Sequence, residues 1–318
     1  MKKLFTLLAL TISFSMNAQW SYNSTSTGIQ SSTNDASGAR AIAMGGYTTA
    51  SGDYTTAMGR YTTASGNRAT AMGGNTTASG IYSTAMGYDT TASGWYSTAM
   101  GYDTTASGDS STAMGDFTTA SGYSSTAMGY NTTASGVNST SMGSSTTASD
   151  YASLVIGQFN SSGSSVTSAG SFSTSAPAFV IGNGTDSSNK SDAFKVMFNG
   201  DTTVSNDLTV SGDVVISSDA RLKSNIVSLG STLSKLLQID GKSYEMKGKQ
   251  KIGVLAQEIK EVFPELVSED DNEMLAVNYQ GLVPVLINAL KEQQNEINRL
   301  KKQEKRIDRL EKLVANID

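Results

Sequence analysis

The sequence predicts a mainly β, fibrous protein that ends in a long helix, and three observations lead to this prediction. A repeat of 14 residues runs through the first half of the chain. Short β-favouring segments follow it, and from residue 282 onward the chain has the pattern of a helix. Gly, Ser, Thr and Ala dominate the first two thirds of the 318 residues. Such a composition does not build one ordinary globular core.

The N-terminus has the pattern of a signal peptide. Lys2 and Lys3 precede an apolar run from Leu4 to Phe14, and small residues lead to Ala18. This pattern predicts export with cleavage after residues 1–18. The apolar run is too short to span a bilayer, and the sequence has no other stretch of about 18 apolar residues. We therefore expect a secreted or cell-surface protein with no integral membrane segment after signal removal. The alternative, a first core helix, has nothing nearby on which to pack.

The composition excludes several kinds of chemistry. Cys and His are both absent, which removes disulfides, Cys/His metal sites and His-based triads. We expect no cofactor and no bound metal. The net charge of −5 gives no broad basic surface, so nucleic acid is not an expected partner. The sequence also has no carboxylate pair at convincing spacing, which argues against a conventional secreted enzyme.

The repeat defines a head at residues 36–160, after an N-terminal stub at 19–35. Its unit reads Ala-Met-Gly-x-x-Thr-Thr-Ala-Ser-Gly-x-x-Ser-Thr, as in residues 85–98. Each of its two β-favouring runs ends in Gly, which tolerates the positive φ of a tight turn. Ile156 stands where a ninth Met is due. The eight methionines are at positions 44, 58, 72, 86, 100, 114, 128 and 142.

Two other structures suit this composition less well. A coiled coil fits a period of two heptads, but the Gly, Ser and Thr of each unit would cost several kcal/mol of helix propensity. A disordered segment would not keep a fixed period with an apolar residue at one position. Stacked turns about 4.8 Å apart place like residues over like, so we predict a β-solenoid. Its small side chains bury little apolar surface per turn, which favours association of several chains.

The repeat resembles a known family. Ser83-Thr84-Ala85-Met86-Gly87 and Thr91-Ala92-Ser93-Gly94 are similar to the head repeat of YadA-type trimeric autotransporter adhesins. The resemblance implies a homotrimeric left-handed parallel β-roll head, and heads of this family often bind host or matrix surfaces. Thr and Met stand here where larger branched residues are usual in the family.

The variable positions of the repeat hold many aromatic residues. On the surface they would suit binding to a glycan or protein ligand. Packing at the seams between chains is an equally good interpretation. The residues are Tyr54, Tyr61, Tyr82, Trp95, Tyr96, Tyr102, Phe117, Tyr123 and Tyr130.

Residues 161–217 predict a β neck or stalk. A polar Ser/Gly loop at 161–175 comes first. The β-favouring runs that follow are 179–182, 193–198, 202–204 and 208–216, with an Asn-Gly-Asp turn at 199–201. Because such short strands cannot hold a sheet alone, we expect strands from three chains to interleave.

The stretch from Ser218 to Ile226 reads Ser-Asp-Ala-Arg-Leu-Lys-Ser-Asn-Ile. From the residues alone, Ser218 is a candidate helix N-cap with Asp219 in the first turn, where acids are favoured. Lys223 would approach the Ser218 hydroxyl only if the local path bends. The local pattern by itself favours the helix-cap interpretation.

The same stretch resembles the intramolecular chaperone of phage endosialidase tail spikes, a module also found in other phage fibres and in a membrane-tethered eukaryotic transcription factor. The resemblance covers residues 218–318 and implies an α+β chaperone autoprotease domain. Further matching motifs are Tyr244, Gly253-Val254-Leu255-Ala256-Gln257-Glu258, Phe263-Pro264-Glu265-Leu266-Val267 and Val277-Asn278-Tyr279.

The Ser-Lys dyad of that family falls here on Ser218 and Lys223. The resemblance implies that Ser218 is the nucleophile, that Lys223 is the general base, and that the Ser217–Ser218 bond breaks through an ester intermediate. A lysine can serve as a base near neutral pH only if its pKa is lowered from about 10.4. The implied activity is a single-turnover serine peptidase that acts in cis on its own chain. Candidate supporting residues are Asp219, Arg221 and Asn225.

Residues 282–318 predict a helix that continues as a coiled coil. Apolar residues at 286, 300, 307 and 314 share one heptad position, and those at 310 and 317 share another. Gln293 is a polar residue in the first set, where it could determine register or oligomeric state. Leu290 and Ile297 lie beside this frame. The alternative is a helix that packs on its own domain. Lys and Arg alternate with Glu and Asp from 299 to 312, which is typical of a solvated face.

These expectations combine into one functional hypothesis. The chain is expected to be a secreted or cell-surface trimeric fibre whose C-terminal domain directs assembly and then cuts itself away. One alternative is a glycan- or matrix-binding adhesin in which that domain only trimerises. Another is a phage-derived tail fibre, against which the signal peptide argues.

Overall fold

A computed structural model describes residues 21–22, 29–30, 33–270 and 273–315. The predicted signal peptide at 1–18 lies outside the described residues. The chain divides after Gly212 into two compact units.

A β-solenoid makes up most of the first unit, as predicted. Each turn contributes a five-residue strand and a two-residue strand, as Thr84–Tyr88 and Thr91–Ala92 do. Strands of successive turns pair in parallel and in register, so Met86 lies opposite both Met72 and Met100. Two sheets therefore run along the repeat.

We call these sheets the long-strand sheet and the short-strand sheet. The long strands of the repeat are Ile42–Gly46, Thr56–Arg60, Thr70–Gly74, Thr84–Tyr88, Thr98–Tyr102, Thr112–Asp116, Thr126–Tyr130, Thr140–Ser144 and Leu154–Gln158. The short strands are Thr49–Ala50, Thr63–Ala64, Thr77–Ala78, Thr91–Ala92, Thr105–Ala106, Thr119–Ala120, Thr133–Ala134 and Thr147–Ala148.

Small side chains fill the space between the two sheets. Ala85 of the long strand, Thr90 of the turn and Ala92 of the short strand are completely buried. Alternation along the strand sends Thr84 and Met86 to the opposite, outward face, where both are half-buried. The methionine ladder therefore covers the outside of the long-strand sheet and takes no part in the interior.

Glycine is required where successive turns approach each other. A Cβ on Gly108, from an Ala-Ser-Gly run, would lie 2.1 Å from the carbonyl oxygen of Gly122. Gly101, which follows Met, has a φ of 130°. The tight turns themselves use other residues, such as Tyr96 with a φ of 58°. The predicted positive φ is thus confirmed for the glycine after Met. It is wrong for the glycine of Ala-Ser-Gly, which is required because successive turns pack too closely there for a Cβ.

The long-strand sheet continues past the repeat within the same chain. Pro177–Asn183 pairs in parallel with Leu154–Gln158, so Ile181 lies opposite Ile156. These strands therefore find partners within their own chain, because the edge of the ninth long strand offers unpaired backbone groups, and interleaving with other chains stays a prediction. The other strands of this sheet are Asp192–Met197 and Thr202–Val204 at this end, and Ile29–Gln30 and Ser21–Tyr22 at the other.

Residues 161–175 form a loop without a strand, as predicted. Asp150 replaces the repeat's glycine and holds this loop, since its Oδ1 accepts the N–H groups of Thr167 and Ser168, both at 2.6 Å. Asp150 is fully buried, and its Oδ2 has no hydrogen-bond partner. The loop covers the end of the short-strand sheet, where Ser149 is buried.

Residues 205–219 contain no helix or strand, so the β structure predicted for 208–216 is absent from this part of the chain. Val214, Val215 and Ile216 are all exposed. A strand needs a neighbouring strand, and this stretch pairs with none in its own chain.

The second unit has a small α+β body. Its strands are Lys242–Met246 with Lys249–Gly253 and Val267–Glu269 with Leu275–Val277, each pair antiparallel. Its α-helices are Leu233–Leu236, Ala256–Val262 and Leu282–Val314, and its 3-10 turns are Ala220–Leu222, Pro264–Leu266 and Tyr279–Gly281. Ile259, Phe263 and Val285 form the centre of its core.

The helix predicted from residue 282 is present as Leu282–Val314. Its first turns pack on the body through Val285 and Ala289, which are buried. The heptad residues farther along are exposed, as Leu300 and Leu310 illustrate. Packing of the helix on its own domain is therefore confirmed for its first turns, and the coiled coil stays a prediction for the rest. None of the described helices combines the length and the apolar character that a membrane span needs.

Candidate functional site

A single 3-10 turn, Ala220–Leu222, lies inside the motif that begins at Ser218. Asp219 caps this turn, because its carboxylate accepts the backbone N–H of Arg221 at 2.8 Å. The interpretation of Ser218 as the N-cap is therefore wrong. The turn begins at residue 220, and Ser218 lies one residue too early to cap it.

The same turn brings Ser218 and Lys223 together. Lys223 follows the turn in an extended conformation, with φ −117° and ψ 144°, and its N–H donates to the Ala220 carbonyl. The chain bends so that Lys223 Nζ lies 2.7 Å from Ser218 Oγ. This distance is within the reach that proton transfer between the two groups requires.

The candidate supporting residues lie between Ser218 and Lys223 in the sequence or just after them. Asp219 Oδ2 and Arg221 Nη2 form an ion pair at 2.6 Å. The hydrogen bonds from Arg221 hold the pKa of Asp219 below its usual range, and the bond to Asp219 raises the pKa of Arg221. Arg221 is thus engaged by its neighbour. Asn225 has a left-handed φ of 52°, which Asn tolerates, and turns the chain after Lys223.

The dyad is exposed in the single chain, as are all residues from 199 to 231. The Ser217–Ser218 peptide bond lies on this exposed stretch. Water favours the charged form of a lysine amine, which can donate but not accept a proton. One chain therefore supplies the geometry of a Ser-Lys pair without its burial.

The dyad lies outside a cleft of the second unit. That cleft has a volume of about 340 Å³ and is lined by residues such as Tyr244, Leu255, Met274 and Tyr279. Among the described residues, no group of three or more Asp or Glu side chains is placed to hold a metal ion.

The remaining family motifs build the body. Phe263 lies in the core, and Val254 packs against it. A Cβ on Gly253 would lie 2.7 Å from the Tyr279 hydroxyl and 3.1 Å from that of Tyr244, so a larger residue here would displace these two hydroxyls. The Tyr279 hydroxyl also accepts the N–H of Val254 at 3.3 Å. These motifs are explained by packing.

Glu292 is a residue that the sequence reasoning missed. Its carboxylate accepts the Thr232 N–H at 2.6 Å and the Ser231 hydroxyl at 2.7 Å, and so caps the short helix Leu233–Leu236. These bonds, that from the Thr232 backbone foremost, hold the pKa of Glu292 below its usual range. The Ser-Thr pair before an apolar run is a cap signal, but the partner lies 60 residues away.

The aromatic residues of the head separate onto two edges of the solenoid. The first edge is formed by the last residue of each long strand and the turn after it, and the second edge is the row of turns after the short strands. All nine residues that the sequence singled out are exposed, by between 43% and 59%. The first edge carries Tyr47, Tyr61, Tyr88, Tyr102, Phe117 and Tyr130; the second carries Tyr54, Tyr82, Trp95, Tyr96 and Tyr123.

Two family models match the chain. The YadA head domain repeat matches six segments, some of them overlapping, between residues 36 and 160. The chaperone of endosialidase matches residues 218–268. Both matches fall where the sequence resembled these families, so the resemblance is confirmed. The second family is in general one of self-cleaving peptidase domains. A comparison with curated proteins found no match.

Proposed function

We propose that the chain is a secreted or cell-surface trimeric fibre of adhesin-like type, whose C-terminal domain directs assembly and is released by cleavage between Ser217 and Ser218. The 2.7 Å contact between Lys223 Nζ and Ser218 Oγ is the observation that carries the cleavage proposal. The matches to the head repeat and to the endosialidase chaperone support the fibre and the chaperone role.

The proposed reaction is an acyl shift followed by hydrolysis. Ser218 Oγ attacks the carbonyl carbon of Ser217 while Lys223 Nζ takes the hydroxyl proton. The C–N bond then breaks, and the proton passes to the nitrogen of Ser218, which becomes a free amine. The Ser217 acyl group remains as an ester on Ser218 Oγ. Water hydrolyses this ester to a carboxylate on Ser217 and restores the Ser218 hydroxyl.

We infer that assembly supplies the burial that a single chain lacks. Loss of water around a lysine favours its neutral form, which is the form that can act as a base. Leu222, Ile226 and Val227 are 74%, 68% and 82% exposed beside the dyad. Packing of three copies around this stretch would remove these side chains and the dyad from water together. Cleavage would then follow assembly.

The outward face of the long-strand sheet is the surface that we expect between the three heads. Its methionine ladder, of which Met86 is a member, continues through Ile156 and Ile181. The outward face of the short-strand sheet carries hydroxyl side chains such as Thr91 and Ser93. Removal of apolar surface from water drives association, so the methionine face is the better interface.

Denaturing gels test the cleavage. Wild-type chain should split in two, whereas Ser218→Ala and Lys223→Ala should stay at full length. Ser224→Ala changes another exposed serine of the same stretch and should cleave normally. N-terminal sequencing of the C-terminal fragment should begin at Ser218. A wild-type chain that stays intact under folding conditions would contradict the proposal.

Light scattering after size exclusion tests the assembly. The wild-type head should be a trimer. Met86→Lys places a charge on the proposed interface and should weaken the trimer, whereas Thr91→Lys in the same turn should leave it unchanged. A monomeric wild type, or equal weakening by both changes, would be inconsistent with the proposed interface.

A second candidate function is binding of a glycan or matrix partner by the head. The exposure of the aromatic residues on both edges favours it. Replacement of Tyr54, Tyr82 and Tyr96 by Ala should reduce binding to such a partner, and unchanged binding would argue for a purely mechanical head.

A further inference from the structure

Arginine and tyrosine share one position of the second edge in five successive turns. These residues are Arg40, Tyr54, Arg68, Tyr82 and Tyr96, and we call them the Arg/Tyr ladder. The Arg68 guanidinium lies between two rings, 5.5 Å from the centroid of Tyr54 and 5.0 Å from that of Tyr82. Arg40 lies 5.2 Å from the Tyr54 centroid, and the rings of Tyr82 and Tyr96 stack at 5.0 Å. The ladder is a continuous stack.

The two guanidinium groups of the ladder are held by rings and not by carboxylates. Arg40 Nη1 donates to the Tyr54 hydroxyl at 2.6 Å. In the described part of the chain, neither Arg40 nor Arg68 forms an ion pair. Both are exposed. A guanidinium that lies over a ring face keeps N–H groups for a planar anion. Arg40 gives one of its N–H groups to Tyr54 and has others left.

Positive charge in the head is confined to its first turns. Residues 36–160 contain three arginines, Arg40, Arg60 and Arg68, and no lysine. Two of the three belong to the ladder. Asp53 is the acidic residue next to Tyr54 in sequence, and its Oδ1 accepts the Ala39 N–H at 3.0 Å. The ladder is therefore a local basic surface on a chain whose net charge is −5.

We propose that the Arg/Tyr ladder binds an anionic polysaccharide, that is, a carbohydrate chain with carboxylate or sulfate groups. Arg40 and Arg68 are two turns apart, roughly 10 Å along the sheet. A polysaccharide with one anionic group in every two sugars repeats its charge on a similar length scale. A guanidinium edge donates two parallel hydrogen bonds to such a group. The tyrosine hydroxyls between the charges can bond sugar hydroxyls.

Other polyanions suit the ladder less well. The rings of Tyr54 and Tyr82 each lie between two neighbours of the ladder, so nucleic-acid bases cannot stack on them. Two positive charges per copy are few beside the roughly six to ten phosphate contacts of a strong nucleic-acid complex. The ladder also offers no apolar face for insertion into a lipid surface.

The inference rests on the proposed adhesin-like function, because the head must face the outside of the cell to meet such a polymer. A trimer would carry three ladders, and a long polymer that reaches more than one would bind more tightly than a short one. The ladder does not depend on the cleavage.

Titration calorimetry with size-defined heparin at fixed salt tests the ladder on the full chain, with dextran as the neutral polymer. Arg68→Gln should weaken heparin binding about tenfold, the effect of losing one charge-assisted contact. Arg60→Gln is the matched control, because Arg60 stacks on Tyr61 at 4.8 Å but lies on the first edge. It should change binding by less than about twofold. Asp53→Asn removes the negative charge beside the ladder and should tighten binding.

Several results would overturn the inference. Equal losses for Arg60→Gln and Arg68→Gln would show that net charge alone explains binding. Absence of heparin binding, or equally tight binding of double-stranded DNA or phosphatidylserine vesicles, would reject the polysaccharide. Should Arg68→Gln not fold, Arg68→Lys keeps the charge without the planar donor edge and should still weaken binding. A cleaved trimer without heparin binding would refute the ladder alone, and a monomer that binds heparin would refute only the assembly.

Discussion

Replacement of Thr132 by valine should stabilise the head, although Thr132 is completely buried and the change removes a polar group. Thr132 is one of seven threonines at the same position of the repeat whose Oγ1 is buried without a hydrogen-bond partner. In the next turn, Thr146 Oγ1 lies 2.8 Å from Ser141 Oγ. That bond exists because Ser141 stands opposite Ala127 in the register, at the alanine position of the repeat.

The magnitude follows from the state of each hydroxyl. A buried hydroxyl without a partner costs about 1–3 kcal/mol, and valine of the same shape removes this cost. Thr132→Val should therefore raise the free energy of unfolding by about 1–2 kcal/mol per chain. Thr146→Val breaks a bond and leaves Ser141 unpartnered, so it should lower that free energy by about 1–2 kcal/mol.

Denaturant unfolding followed by circular dichroism measures both changes. All variants must be compared at one protein concentration, because association shifts apparent stability by mass action. Ser141→Ala should destabilise like Thr146→Val, and the double variant should recover part of the loss, as a double-mutant cycle reveals.

The refuting result is equal destabilisation by Thr132→Val and Thr146→Val. It would mean that the Thr132 hydroxyl makes a favourable bond in the folded head. The solenoid interior would then be more polar than its alanine packing indicates, and the penalty assigned to the threonines would be wrong.

Three further changes test the packing and the caps. Gly108→Ala should abolish folding or cost more than about 3 kcal/mol, because the new Cβ would meet the carbonyl of Gly122 and only the backbone could move; its yield of folded protein and denaturation midpoint measure this. Asp150→Asn keeps an acceptor for the loop and should resist limited proteolysis like wild type, whereas Asp150→Ala should be cut in that loop. Because the pKa of Glu292 is lowered in the folded state, its hydrogen bonds to Thr232 stabilise the fold at pH values above the usual carboxyl pKa. This stabilisation is lost as the pH falls through the lowered pKa of Glu292. Thermal unfolding of Glu292→Gln should therefore depend less on pH between about 5 and 3 than that of wild type.

The head could be predicted from the sequence because its signal is repeated. A turn in which Met is always followed by Gly can pair in register only with its own equivalents, so the 14-residue period dictates which residues lie opposite each other. The period did not show which side chains of each strand point outward. That the methionines point outward depends on which strand residues the second sheet covers, and only the alternation seen at Ala85 and Met86 decides it.

The candidate site shows a different balance. Local pattern favoured Ser218 as a helix cap, and the structure assigns the cap to Asp219. A serine near the start of a turn can be a helix cap or a member of a Ser-Lys pair, and which of the two it is depends on whether the turn starts one residue earlier or later. The resemblance to a family supplied the pair of Ser218 and Lys223, which spacing alone could not have selected.

By itself, the sequence determined the solenoid, its register and the long C-terminal helix. These features depend on contacts between residues that are close in the chain or that hold the same position of a repeat, and the sequence pattern records both. Only the tertiary structure decided contacts between unlike, distant residues. It placed Glu292 on Thr232, extended the long-strand sheet to Pro177–Asn183, and stacked arginine on tyrosine along one edge. Such contacts depend on where the backbone brings two elements together, and no local periodicity records that.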